Sequence, residues 1–140
     1  MGYIKPRIYC IPFASGALSP LDATDYFCGC IAGGIWLTTY GSSSIYPPIN
    51  GVIRAVLVST QSFTTIGTNE DISVYIRVND ATDYLIETVG ASTMVRTFRN
   101  DNLNIPITTA DSFELKFVFP TWATNPAGFR VGGTCIIESG

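Results

Sequence analysis

Apolar and polar residues alternate along this chain with a period of two, and the alternation recurs often enough to set the architecture. The clearest run is Ile72-Ser73-Val74-Tyr75-Ile76-Arg77-Val78. Successive side chains of an extended strand point to opposite faces, so Ile72, Val74, Ile76 and Val78 share one face, and Ser73, Tyr75 and Arg77 the other. Phe113-Glu114-Leu115-Lys116-Phe117-Val118-Phe119 repeats the pattern, with four apolar side chains opposite Glu114 and Lys116. Leu103, Ile105 and Ile107 alternate with Asn104, Pro106 and Thr108. Pro106 has no N–H to give a ladder, which puts that strand at an edge or ends it early. Further strands are predicted over residues 52–60, 84–88, 93–99 and 131–138, and weaker ones over 8–11, 26–31 and 35–40. No stretch of useful length carries a 3.6-residue apolar period.

The separators are turn-formers: Gly41-Ser42-Ser43-Ser44, Pro47-Pro48, Asn79-Asp80, Gly90-Ala91-Ser92, Asn100-Asp101-Asn102 and Ala110-Asp111. Short strands at this spacing predict an all-β antiparallel sandwich, and about eight strands with connections of mixed length favour the jelly-roll type. An immunoglobulin-like sandwich is the alternative. Residues 1–20 contain Pro6, Pro12 and Pro20 and no clean alternation, and read as an irregular N-terminal arm to a sandwich domain over 21–140. Tyr3, Ile4, Ile8, Tyr9, Ile11 and Phe13 make that arm too apolar for a free tail. It is expected to lie on a neighbouring subunit, so that deleting residues 2–16 leaves the domain folded.

Composition sharpens this picture. The chain has 140 residues, of which 46% are apolar and only 14% charged. A domain of this size has much surface for its volume, so part of its apolar surface is expected to be covered by other chains. With a net charge of −3, only Lys5 and Lys116 as lysines and scattered arginines, it has no basic footprint for nucleic acid. No apolar run approaches the roughly 18–20 residues of a membrane span. The opening residues lack a sustained apolar segment, which predicts synthesis in a cytosol without a cleaved leader.

Histidine is absent, which removes the commonest general base and metal ligand together. The carboxylate pairs Asp22/Asp25, Glu70/Asp71 and Asp80/Asp83 fall in predicted turns, where Asp ordinarily bonds its own backbone. Nothing marks any pair as facing another across a cleft, as a glycosidase requires. The chain is read as not an enzyme, with no catalytic residues, no cofactor and no metal. Four cysteines remain: Cys10, Cys28, Cys30 and Cys135. On a strand Cys28 and Cys30 would lie on one face about 6.6 Å apart, at the long edge of disulfide geometry. The open readings are a disulfide from Cys28 or Cys30 to Cys10 or Cys135, a disulfide to another chain, and buried thiols. If any pair is cross-linked, Cys28 or Cys30 is expected to join Cys10, within or between chains. Cys135 shares its predicted inward face with Val131 and Ile137 and reads as a buried thiol. The aromatics Trp36, Tyr40, Tyr46, Tyr75 and Trp122 read as core or subunit contacts, or else as a glycan-binding surface.

A run of phrases spans the C-terminal part of the chain: Tyr75-Ile76-Arg77-Val78-Asn79-Asp80-Ala81-Thr82-Asp83, Phe98-Arg99-Asn100, Leu103-Asn104-Ile105-Pro106-Ile107, Asp111-Ser112-Phe113-Glu114-Leu115-Lys116 and Pro120-Thr121-Trp122-Ala123-Thr124-Asn125-Pro126. With Ala17-Leu18-Ser19-Pro20-Leu21-Asp22 ahead of them, this set resembles the β-sandwich modules of tailed-bacteriophage virions, over roughly residues 17–138. Such modules occur as small stand-alone proteins or as the ends of tail fibres. The resemblance implies a trimeric jelly roll that acts as a capsid decoration, or cement, protein. Its partners would be copies of itself and the major capsid protein or other virion proteins, and its location the virion, after synthesis in the host cytoplasm. The alternative it implies is a carbohydrate-binding, receptor-recognition module of a tail fibre that meets host surface glycans. It supplies no catalytic residues, and the cysteines at 10, 28 and 30 lie outside the pattern.

Overall fold

The computed structural model describes residues 5–29, 36–40, 44–62, 70–90 and 95–139. Among them run nine strands: β1 (Ile8–Ala14), β2 (Asp25–Cys28), β3 (Gly51–Gln61), β4 (Asp71–Val78), β5 (Thr82–Gly90), β6 (Val95–Asn100), β7 (Ile105–Ile107), β8 (Phe113–Val118) and β9 (Arg130–Glu138). All pairings are antiparallel and nested: β4 with β5, β3 with β6 and β7, β2 with β8, β1 with β9. The chain is thus one long hairpin. Its tip is the turn after Val78, where Asn79 and Asp80 both take positive φ and Ala81 N–H donates to Val78 O. Rolling the hairpin up brings β9 beside β3 and β8 beside β4. The outcome is a five-stranded sheet ordered β1-β9-β3-β6, with β7 also on β3, packed on a four-stranded sheet ordered β2-β8-β4-β5. This is the jelly-roll sandwich that the alternation predicts. In the larger sheet β6 and β7 lie end to end along β3, and Pro106 sits on this short edge segment.

The core lies between the sheets. Ile72, Val74, Ile76 and Val78 from β4 meet Phe113, Leu115 and Phe117 from β8 and Val56, Val58, Phe98, Cys135 and Ile137 from the larger sheet, all buried. Phe117, Phe119, Phe129 and Trp36 form a tight aromatic group, with ring centroids 5.1 Å apart for Trp36–Phe117 and for Phe119–Phe129. β9 reaches β3 closely at Gly133, where a Cβ would fall 2.5 Å from Leu57 O, so only glycine fits.

The N-terminal segment corrects the arm expectation. Ile8–Ala14 is a full strand of the domain's own sheet, and Phe13 is buried in the core 6.2 Å from the Phe113 ring. Pro12 is compatible with this because of its parity. Ser139 N–H donates to Arg7 O and Ser15 N–H to Val131 O, so the odd-numbered residues of β1 bond to β9. The N–H that Pro12 lacks would have faced away from β9, on a side where no described strand pairs with it, so no described ladder bond is lost. Two other strand expectations shrink. The segment predicted over 26–31 is a strand only to Cys28, with 30 and 31 outside the described residues. Of 35–40, the described part makes one bridge, Leu37 to Phe27.

Candidate functional site

Functional side chains on a sandwich project from the outer faces of its sheets or from the loops, and the two outer faces differ sharply. On the larger sheet the pairing registers place Cys10, Ile136 and Ala55 in one outward row and Pro12, Thr134, Leu57 and Arg99 in the next. A third row holds Ala14, Gly132, Ser59 and Thr97, and a fourth Arg130, Gln61 and Val95. The middle of this face has no charge. Ile8 is 66% exposed, Val95 59% and Leu57 38%. The charges stand around it: Arg54 with Glu138 at 3.8 Å, and Arg99 with Asp101 at 2.8 Å.

The smaller sheet carries charge on all four strands. Arg77 on β4 binds Asp80 and Asp83 at 2.9 Å each. Lys116 on β8 binds Asp83 on β5 at 2.8 Å and lies 3.7 Å from Asp25 on β2. Lys116 Nζ also sits over the Tyr75 ring, 5.9 Å from its centroid. Burial pushes the Asp83 carboxyl up, but hydrogen bonds from Lys116 and Arg77, with the charges behind them, outweigh it and hold Asp83 below the ordinary aspartate value. The hydrogen bonds that Arg77 donates to Asp83 and Asp80 raise its own pKa in turn.

Beside this network runs a groove of about 410 Å³, lined by Asp25, Phe27, Thr38, Thr39, Tyr40, Arg77, Asp80 and Lys116. Its rim exists because residues 36–40 fold over the outer side of β2. Leu37 bridges Phe27, the Tyr40 ring meets Phe27 edge-on at 5.9 Å, and Tyr40 Oη and Ser112 Oγ are 2.7 Å apart. The same covering buries Glu114, which accepts from Ser44 Oγ at 2.9 Å, although its position opposite the core predicts exposure.

The candidate aromatics do not form one surface. Trp36 packs in the core group and donates from Nε1 to Gly16 O at 2.9 Å, and Trp122 is buried against Phe119 at 5.6 Å. Tyr40 lines the groove and Tyr75 lies under Lys116 on the same face, while Tyr46 is 64% exposed ahead of β3. The turn reading of the acidic pairs holds for Asp22 and Asp80 only. Asp25, Asp71 and Asp83 sit on strands, and Glu70 is buried. Among the described residues no His, Cys, Asp or Glu side chains gather in a group able to hold a metal ion.

The cysteine geometry corrects one disulfide candidate. Cys10 points outward from the larger sheet and is exposed. Cys28 points inward from the smaller sheet, is buried, and its Sγ donates to Ala14 O at 3.3 Å. A sheet lies between the two sulfurs, so no bond within one chain joins them. Cys30 lies outside the described residues. Cys135 is a buried thiol, pushed up to about 12 by burial and, secondarily, by Cys10.

No family model and no curated protein matches this chain. Among solved structures it is similar to a chain in a structure of the Gx strain of infectious bursal disease virus, with 17% identity and a TM-score of 0.44 over 97% of this chain and 32% of that one. It is also similar to a chain of Desmodium yellow mottle tymovirus, with 11% identity and a TM-score of 0.33 over 99% of this chain and 91% of that one. This chain therefore spans about a third of the infectious bursal disease virus chain.

Proposed function

We propose that this chain is a virion structural protein, a capsid decoration subunit of a tailed bacteriophage that assembles as a homotrimer and meets its sister copies through the outer face of the larger sheet. The observation that carries the reading is the uncharged centre of that face, where Leu57 stands exposed, with Ile8 and Val95 exposed at its corners. The phrase-by-phrase resemblance to phage sandwich modules supports the particle and the trimer.

The mechanism is burial of area. Four strands at about 4.8 Å spacing and seven residues at about 3.3 Å give a projected face of roughly 400–450 Å². That is about half of what one partner contributes to a standard stable interface. Face contact alone therefore holds copies weakly, and trimer and capsid contacts must reinforce each other. Light scattering of the purified protein, with and without particles, tests this. A trimer in either setting is expected, and a strict monomer in both overturns it.

A second reading has its own observation. The groove beside Tyr40 combines an aromatic ring with Asp25, Asp80, Arg77 and Lys116, donors and acceptors suited to sugar hydroxyls. It fits a receptor-recognition module that binds host surface glycans. Glycan-array binding lost on Tyr40→Ala would favour it, and an array without hits would remove it.

A further inference from the structure

Among the described residues, four buried side-chain atoms have no hydrogen-bond partner: Glu70 Oε2, Arg96 Nε, Arg96 Nη2 and Trp122 Nε1. All four lie at one end of the sandwich, in three residues tied to each other. Arg96, near the start of β6, donates from Nη1 to the carbonyls of Glu70 at 3.1 Å and Val89 at 3.2 Å. Glu70, just before β4, accepts at Oε1 from the N–H of Ala123, the residue after Trp122. The three side chains belong to residues at most 7% exposed. Among the described residues the opposite end has no such orphans. There Asn79 Nδ2 donates to Asp111 Oδ1 and Asn79 Oδ1 accepts from Ser112 N–H. Thr108 N–H donates to Asp111 Oδ2 and Thr109 N–H to Asn50 Oδ1.

A buried guanidinium with two idle nitrogens beside a carboxylate with an idle oxygen is costly unless something joins them. Burial lowers the Arg96 pKa, and the charges of Glu70 and Asp71 oppose that shift, so the carboxylate acts on the guanidinium without touching it. No ion pair within 4 Å links the two side chains.

The chemistry of the four atoms restricts the occupant. It must accept from N–H groups of Arg96 and Trp122 and donate to Glu70 Oε2. A fully deprotonated oxyanion accepts but cannot donate, and any oxyanion would set a second negative charge against Glu70. A cation would face the guanidinium. With all three residues at most 7% exposed, a small occupant fits best. We propose that ordered water is built into this cradle and bridges the Glu70 carboxylate to the Arg96 guanidinium, with Trp122 Nε1 as a further donor. Such a bridge is nearly as good as a direct hydrogen bond. It fastens the starts of β4 and β6 to the connection between β8 and β9. The end of the sandwich where these strands start is then closed by a hydrated ion pair, and the end at the hairpin tip by direct side-chain bonds.

Crystals of the full chain that diffract well enough to show ordered solvent test this, with the wild type and Trp122→Phe compared. The expected result is a water within about 2.7–3.2 Å of Glu70 Oε2 and of at least one idle nitrogen of Arg96. It should persist in Trp122→Phe with one contact fewer. A direct two-pronged Glu70–Arg96 bridge without solvent would overturn the proposal, as would an anion seated on the guanidinium fork or an empty cradle.

Discussion

On the larger sheet, the outward row through Pro12, Thr134, Leu57 and Arg99 carries one charge across four strands. On the smaller sheet, the outward row through Glu114, Arg77 and Asp83 carries a charge on each strand it crosses, and Lys116 and Asp25 extend the network to β2. Both faces belong to antiparallel sheets, so the difference is one of chemistry. A face whose ion pairs are already satisfied within the chain gains little by leaving water, because each charge would have to be desolvated. A face of Ile, Leu, Val, Pro, Ala and Thr gains from every ångström squared it hides, at about 25 cal/mol per Å². Under the proposed function, one side of the sandwich stays wet and the other is covered.

The two faces share one core, and the largest effects fall there. Deleting residues 2–14 removes β1 and Phe13 and bares the edge of β9. The truncated chain is expected not to fold, with loss of the β-sheet circular dichroism signal and of cooperative melting. Phe117→Ala comes next, since Phe117 is fully buried among Trp36, Phe98, Phe119 and Phe129. It should cost about 3–5 kcal/mol in urea unfolding. A loss under about 1 kcal/mol would mean that the faces of β8 are assigned the wrong way round.

How far the contrast was legible in the sequence depends on how local its causes are. β4 and β8 were legible because their two sides differ in polarity residue by residue. β1 was not, because Pro12 reads as a breaker until the strand is known to lie at an edge with that position facing outward. The network around Arg77 was hidden for another reason. Its partner Asp83 is six residues away and reads as a turn residue, and Lys116 reaches it only through the β4–β8 register. Glu114 reads as solvent-facing, yet it is buried and accepts from Ser44 Oγ, a contact from a distant segment that the alternation does not reveal. The cradle at Glu70, Arg96 and Trp122 joins three distant segments and left no signal in the pattern.

Smaller effects sharpen the comparison between the faces. Asp83→Asn removes the carboxylate that both Arg77 and Lys116 hold, at a cost of about 1 kcal/mol near neutral pH, the upper end for part-exposed pairs. The sign of its pH dependence follows from the lowered Asp83 pKa. The stabilisation is present above the unfolded value of about 3.9 and is lost as pH falls through the lower folded value. Wild type should therefore lose stability below about pH 4 more steeply than Asp83→Asn, as read by urea midpoints at a series of pH values. Equal slopes would remove Asp83 from the account.

The gentlest probe is thiol labelling. Cys10 is exposed on the larger face, whereas Cys135 is buried with its pKa pushed up to about 12. Iodoacetamide at neutral pH should modify Cys10 in the folded protein well before Cys135, as read by mass spectrometry of peptides. Assembly should slow the Cys10 reaction. Unchanged labelling in an assembled sample would place that face outside the interface.

Under the proposed function, the larger sheet's outer face is the one that is covered. Light scattering of the wild type, Leu57→Asp and Tyr40→Ala, with and without particles, addresses it most directly. Leu57 is 38% exposed at the centre of one face, and Tyr40 lines the groove on the other. Leu57→Asp should melt as the wild type does yet remain a monomer that no longer joins particles, while Tyr40→Ala should assemble as the wild type does. Normal assembly of Leu57→Asp, or its loss in a folded Tyr40→Ala, would contradict the account.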